Sequence, residues 1–123
     1  MTENIADKEQ ELNGQLRLIN EQQEENYTSF RKLDESERFI QDAYAMEQHF
    51  LTDLSEVFHT SDSAQFLHDS EQEHRECKHR SFTQLEEQFE ALQQEKLTLV
   101  EKENDLLDER SVLFQREDAA DEY

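Results

Sequence analysis

The sequence predicts an all-α protein, an antiparallel hairpin of two long coiled-coil-like helices. Apolar side chains recur at helical spacing in both halves of the chain, and a short polar segment separates the halves. The chain contains no proline and one glycine, so few residues oppose helix formation. With 123 residues, the whole chain (1–123) is expected to form one helical hairpin.

Helix 1 is predicted over about residues 3–58. From Leu12 onwards, mostly apolar positions follow alternating steps of three and four, which places them on one narrow seam of a helix. The apolar members of this seam are Ile5, Leu12, Leu16, Ile19, Phe30, Leu33, Ile40, Tyr44, Leu51, Leu54 and Phe58. Polar residues interrupt the seam at Gln23, Asn26, Glu37 and Glu47. A polar seam residue costs stability but can fix the register or the oligomeric state.

A turn is predicted at about residues 59–62, where the chain reads His-Thr-Ser-Asp. Ser61 or Asp62 can cap a new helix, and Gln65 follows Asp62 at the spacing of a capping box. The turn contains neither glycine nor proline. A single unbroken helix that dimerises along its length therefore stays open as an alternative.

Helix 2 is predicted over about residues 62–116, followed by an acidic tail at 117–123 that is expected to fray. From Leu85 to Leu113 a leucine recurs at every seventh position, and this strict repeat indicates a seam packed against another helix. These predicted seam residues are Leu85, Leu92, Leu99, Leu106 and Leu113.

The charge of the chain restricts its partners. The 32 acidic residues outnumber the 12 basic ones and leave a net charge of −20. Nucleic acids and anionic membranes bind through Lys and Arg clusters, which this chain lacks, so neither is an expected partner. No apolar run is long enough to span a bilayer, and the N-terminus does not resemble a signal peptide. We therefore expect a cytoplasmic protein whose partner is a basic or neutral protein.

Helix 1 carries a second apolar stripe beside its seam, and this stripe has no counterpart in helix 2. Residues 68–81, which would lie opposite, have Cys77 as their one apolar member. An apolar surface without cover indicates an interface. The predicted partner-binding residues are Phe39, Ala43, Met46, Phe50, Val57 and Phe58. The alternative is that a shifted register buries this stripe inside the hairpin.

The residue pattern indicates no catalytic, metal or cofactor site. His74 and Cys77 lie one helical turn apart, but no third and fourth ligand follow at a fixed spacing, so no metal is expected. The chain has no Gly-rich phosphate loop and no nucleophile motif. A leucine-zipper transcription factor needs a basic region before the zipper, whereas residues 66–90 are acidic on balance. We expect a non-enzymatic protein without a cofactor.

Two stretches carry a resemblance to a known group of proteins. One is the acidic beginning of helix 2, from Phe66-Leu67-His68-Asp69 to Glu73. The other is the late heptad, Leu106-Leu107-Asp108-Glu109-Arg110-Ser111-Val112-Leu113-Phe114. The chain resembles the small helical proteins associated with LXG toxins of Gram-positive type VII secretion systems. It lacks Trp and the Trp-x-Gly turn, so it is similar in shape to WXG hairpins without their motif.

The resemblance implies a non-enzymatic targeting chaperone. Such a protein binds the helical N-terminal region of its toxin, often together with a second small helical protein. It also implies an export motif of an aromatic residue followed four positions later by an acid, which Phe114 and Asp118 match. Whether this chain is itself exported with its partner stays open. The alternatives are a homodimeric coiled-coil scaffold and an acidic decoy that mimics DNA.

Overall fold

The computed structural model describes residues 4–58 and 61–121. This part of the chain forms two α-helices, α1 over Ile5–Val57 and α2 over Ser61–Asp121, which pack against each other. Contacts such as Asn26 with Leu92 and Tyr44 with Ser81 make the pairing antiparallel. The predicted all-α hairpin is therefore confirmed, and a single unbroken helix is excluded. Residues 59–60 of the predicted turn lie outside the described residues.

Helix α1 begins with a capped first turn. The side-chain oxygen of Asn4 accepts a hydrogen bond from the backbone N–H of Ala6 at 3.1 Å. This bond satisfies one of the amides that a helix leaves free at its N-terminus. Asp7 adds a negative charge in the same turn, where the helix dipole favours it. At the other end, the N–H of Phe58 still donates to the carbonyl oxygen of Leu54 at 2.9 Å.

Helix α2 is longer than its predicted range of about 62–116. It continues through the acidic segment to Asp121, and residues 122–123 of the predicted tail lie outside the described residues. The segment contains neither glycine nor proline, and its two alanines are the strongest helix formers. At the start of α2, Gln65 donates a hydrogen bond to Asp69 at 2.9 Å, one turn further along the helix, rather than back towards Asp62.

The described residues form two compact units, each made from one segment of α1 and one segment of α2. The terminal unit comprises residues 4–29 and 92–121, and its buried apolar side chains are Leu12, Leu16, Ile19, Leu99 and Leu113. Asn26 is also buried there, and its amide donates to the carbonyl oxygen of Leu92 at 3.1 Å. At the surface of this unit, Arg110 donates to the side-chain oxygen of Asn13 at 3.3 Å.

The turn unit comprises residues 30–58 and 61–91. Its buried apolar side chains are Leu33, Leu51, Leu67 and Leu85. The rings of Phe30 and Phe89 pack across the two helices with their centroids 6.3 Å apart. Among the described residues of the chain, no large side chain is completely buried. A seam between two helices leaves both of its flanks to water, so partial burial is what this architecture allows.

The predicted seam of helix 1 is the packed surface of α1. Every predicted position from Ile5 to Leu54 is buried or half-buried, except Glu47. The leucine repeat of α2 behaves in the same way, because Leu85, Leu99 and Leu113 are buried and Leu92 and Leu106 are half-buried. The periodicity of each helix therefore identified the surface that packs against the other helix.

Candidate protein-binding face

An exposed apolar face runs along α1 within the turn unit. It consists of Phe39, Ala43, Met46, Phe50 and Val57, and we call it the α1 face. Each member directly precedes a position of the α1 seam, so the two sets follow the helix side by side, about 100° apart. The seam packs on α2, whereas the α1 face does not.

The exposed fractions of these side chains are unusual for residues of their size. Phe39 is 75% exposed, Met46 74%, Phe50 61% and Val57 72%. Ala43 is exposed as well. The alternative prediction, that a shifted register buries this stripe inside the hairpin, is wrong for this structure. Scattered exposed apolar residues are ordinary, but four large ones along one side of a helix indicate an interaction surface.

Phe58 was predicted to belong to the same surface. It follows the last residue of α1 and is 48% exposed. Because it lies beyond the helix, it is not part of the regular row. Phe66 is a further exposed aromatic residue of the turn unit, on the first turns of α2, and is 69% exposed.

Acidic residues border the α1 face on its solvent side. A row with one residue at every seventh position runs parallel to the face and contains three acidic residues, Glu35, Asp42 and Glu56, together with His49. All four are exposed, and Asp53 lies within the face itself. The face therefore combines large apolar side chains with an edge of negative charge, which favours a partner with lysine or arginine at the matching positions.

A cluster of polar and aromatic side chains lies in the seam of the same unit. Tyr44 and Ser81 share a hydrogen bond across the helices, with their oxygen atoms 2.7 Å apart. Glu47 and His74 form a second pair, between a carboxylate oxygen and Nδ1 of the imidazole. The Tyr44 ring meets the edge of the His74 ring at 5.6 Å and lies 6.3 Å from the ring of Phe82. We call Tyr44, Glu47, His74 and Ser81 the seam cluster.

The seam cluster accounts for two polar positions that the sequence left without a partner. Glu47 interrupted the predicted seam of helix 1, and His74 belonged to a strip with almost no apolar residue. The His74 side chain is only 3% exposed, whereas that of Glu47 is 51% exposed. The pair was missed because periodicity describes each helix by itself. A search for an acid on helix 1 and a histidine on helix 2 that lie opposite each other in the predicted antiparallel pairing could have found it.

Among the described residues, His68, His74, His79 and Cys77 do not form a metal site. His74 Nδ1 is engaged by Glu47, and Arg80 donates to the sulfur atom of Cys77 at 3.3 Å. No group of three or more His, Cys, Asp or Glu side chains is arranged to hold a metal ion in the part of the chain that the structure describes.

The predicted export pair lies near the end of α2 in the terminal unit. Phe114 is 40% exposed, and the guanidinium carbon of Arg110 lies 5.9 Å from the centre of its ring. Asp118, one helical turn later, is exposed. The two side chains are therefore accessible on one helix at the predicted spacing. Neither described helix is long and apolar enough to cross a membrane.

Comparison with known proteins gives a family and little else. No curated protein matches the sequence significantly, and no solved structure does. A family model described as "Protein of unknown function (DUF3958)" matches residues 7–113, which include nearly all of both helices. The chain therefore belongs to the DUF3958 family.

Proposed function

We propose that this protein is a non-enzymatic targeting chaperone that binds the helical N-terminal region of a cognate LXG-type toxin for type VII secretion. The observation that carries the proposal is the α1 face, which offers four large apolar side chains to a partner. The toxin is named from the resemblance of the chain to LXG-associated helical proteins. The face supports a protein partner, and the resemblance supplies its class.

The spacing of the α1 face favours a helix as the bound element. From Phe39 to Val57 the row extends for about 27 Å along the helix axis, at 1.5 Å per residue. Its members are three, four or seven residues apart. Side chains at this spacing form a ridge that can pack into the grooves of a second helix. A partner helix with its own apolar stripe would complete a three-helix layer there and remove the exposed rings from water.

The charge of the face argues against a second copy of the chain as its occupant. A self-complementary contact would bring the row of Glu35, Asp42 and Glu56 towards the same row on another molecule. Each molecule also carries a net charge of −20, so association of two copies works against repulsion. A toxin helix flanked by basic residues gains from the same charges. The negative charge would also keep the complex soluble in the cytoplasm before export.

Within this proposal, Phe114 and Asp118 are the candidate export motif. They lie in the terminal unit, whereas the α1 face lies in the turn unit, so binding and export are assigned to different residues. Substitution of Phe114 is then expected to reduce export of the toxin without loss of toxin binding.

The test is reconstitution with the purified N-terminal region of the LXG-type toxin from the same genome. Size-exclusion chromatography with light scattering measures the mass of this chain alone, of the toxin region alone and of their mixture at moderate salt. The proposal expects a stable heteromeric complex. The same experiment is repeated with the second small helical protein present, because the toxin region can require both.

Two other outcomes would contradict the proposal. A stable mass of two copies, with no complex formed, would indicate a homodimeric scaffold. Binding to unrelated basic proteins that disappears between low and moderate salt would indicate an acidic decoy, since such binding depends on charge alone.

A further inference from the structure

The leucine repeat of α2 cannot by itself determine how the two helices align. Five leucines at intervals of seven present the same side chain to α1 after a slip of one heptad in either direction. The buried side chains of the terminal unit are mainly leucine and isoleucine, so a slip of one heptad would again place apolar residues opposite each other there. Three residues join Val57 to Ser61, so a slipped hairpin would also have to unwind helix near the turn. Among the side chains, only those that do not repeat every seven residues can distinguish the registers.

Asn26 does not supply that distinction. Its amide donates to the backbone carbonyl oxygen of Leu92, and a carbonyl oxygen is present at every residue of α2. A slip of seven residues would offer Asn26 the carbonyl oxygen of Leu85 or Leu99 in its place. A side chain that pairs with backbone therefore tolerates the slip.

The seam cluster behaves differently, because both of its bonds join one side chain to another. We propose that the seam cluster fixes the register of the hairpin, and that Glu47 and His74 serve specificity of pairing more than stability. His74 is nearly inaccessible to water, so it needs a partner on α1. Only the observed register places Glu47 beside it.

A slip of one heptad separates His74 from Glu47. His74 would then face the region of Ile40 or Leu54, both apolar, and Glu47 would face the region of Leu67 or Ser81. A buried polar group without a partner is disfavoured much more strongly than a satisfied pair is favoured. The cluster therefore discriminates against wrong registers even though an apolar pair would stabilise the correct one at least as well.

The proposal concerns the isolated chain and is independent of the proposed function. Its test replaces the pair by leucine, as Glu47→Leu with His74→Leu, and measures register by electron-spin distance between labels. The labels are placed on cysteines introduced at Asp42 and Lys78, two exposed positions of the turn unit, in a Cys77→Ser background. A slip of seven residues moves one helix by about 10 Å along the other, which broadens or splits the distance distribution.

With the natural Glu47–His74 pair, we expect one narrow distance between the spin labels. The variant with leucine at both positions should show additional distances, and its melting temperature should stay equal or rise. A matched control is Glu73→Leu with His79→Leu, which changes the same residue types at exposed positions of α2. The control should keep one distance. The exchanged pair, Glu47→His with His74→Glu, restores an acid and a histidine at the same place and should also keep one distance.

Three results would overturn the proposal. One is a single unchanged distance in the leucine pair, because the register would then be set elsewhere. Another is a leucine pair that melts at a clearly lower temperature or does not fold, since the natural pair would then serve stability. The third is an exchanged pair with several distances, because an acid and a histidine in contact would not suffice.

Discussion

Leu99→Ala tests whether the heptad leucines of α2 are the packed seam. Leu99 is 5% exposed in the terminal unit, whereas Leu97, two residues earlier on the same helix, is 53% exposed. The same substitution at the two positions removes the same atoms from the same helix, and alanine favours the helix equally in both. The difference between the two variants therefore measures burial alone.

The structure gives the expected magnitudes. Removing a buried leucine side chain costs about 2–5 kcal/mol, and the lower end applies here because a seam between two helices can partly close around the gap. We expect Leu99→Ala to lower the free energy of unfolding by about 2.5 kcal/mol. Folding buries only about half of the surface of Leu97, so Leu97→Ala should lower the free energy of unfolding by about 1 kcal/mol or less. The higher helix preference of alanine reduces this loss further.

The measurement is urea unfolding followed by far-ultraviolet circular dichroism, repeated at two protein concentrations to detect any association. Equal losses for the two variants would refute the reasoning. A larger loss for Leu97→Ala would do so more strongly, because it would show that the other side of α2 is the buried one.

Other substitutions should change stability in predictable directions, measured by the same unfolding assay. Gly14→Ala should raise the free energy of unfolding by about 0.5–1 kcal/mol, because an added Cβ meets nothing within 4 Å and alanine favours the helix; a loss would indicate a contact there. Asn26→Leu should raise it by about 1 kcal/mol, since a buried seam amide costs stability; a fall would mean that its bond to Leu92 outweighs apolar packing. Phe50→Glu should lower it by about 1 kcal/mol or less, because most of the side chain is already exposed. For the natural chain, raising the salt concentration from low to moderate should increase stability, because ions screen the repulsion of 20 excess negative charges; a decrease would mean that attractive pairs dominate.

The sequence was informative about each helix taken alone. Spacing of Leu12, Leu16 and Ile19 identified the packed side of α1, and spacing of Phe39, Met46 and similar residues identified its exposed side. Both follow from the helical repeat, which needs no knowledge of the other helix. The end of α2 was less predictable, because the acidic tail contains no residue that stops a helix.

The pairing of Glu47 with His74 could not be read from periodicity. It depends on which residue lies opposite which across the turn, and that alignment changes if either helix slips by a few residues. The sequence also presented residues 68–81 as a strip unable to pack, whereas His74 is buried and Ser81 is half-buried in the seam. Polar side chains can pack in a seam when each has a hydrogen-bond partner on the other helix. Those partners are known only once the alignment of the two helices is known.

The α1 face predicts only part of the chemistry of a bound partner. Apolar residues at helical spacing predict that a helix binds, and the acidic border predicts basic residues on that helix. Neither property identifies one protein. The LXG-type toxin is proposed because two stretches of the chain resemble LXG-associated helical proteins.

The proposal that the α1 face binds the toxin is tested most directly by calorimetric titration of the toxin N-terminal region with the Phe50→Glu variant of this chain. Phe50 exposes 61% of a side chain of about 200 Å², so its burial by a partner contributes about 3 kcal/mol at about 25 cal/mol per Å². We therefore expect Phe50→Glu to weaken binding about a hundredfold or more. Tyr27→Glu is the control, at a residue of α1 that is 65% exposed and outside the face, and it should bind as the natural chain does. Unchanged affinity of Phe50→Glu for the toxin region would contradict the account.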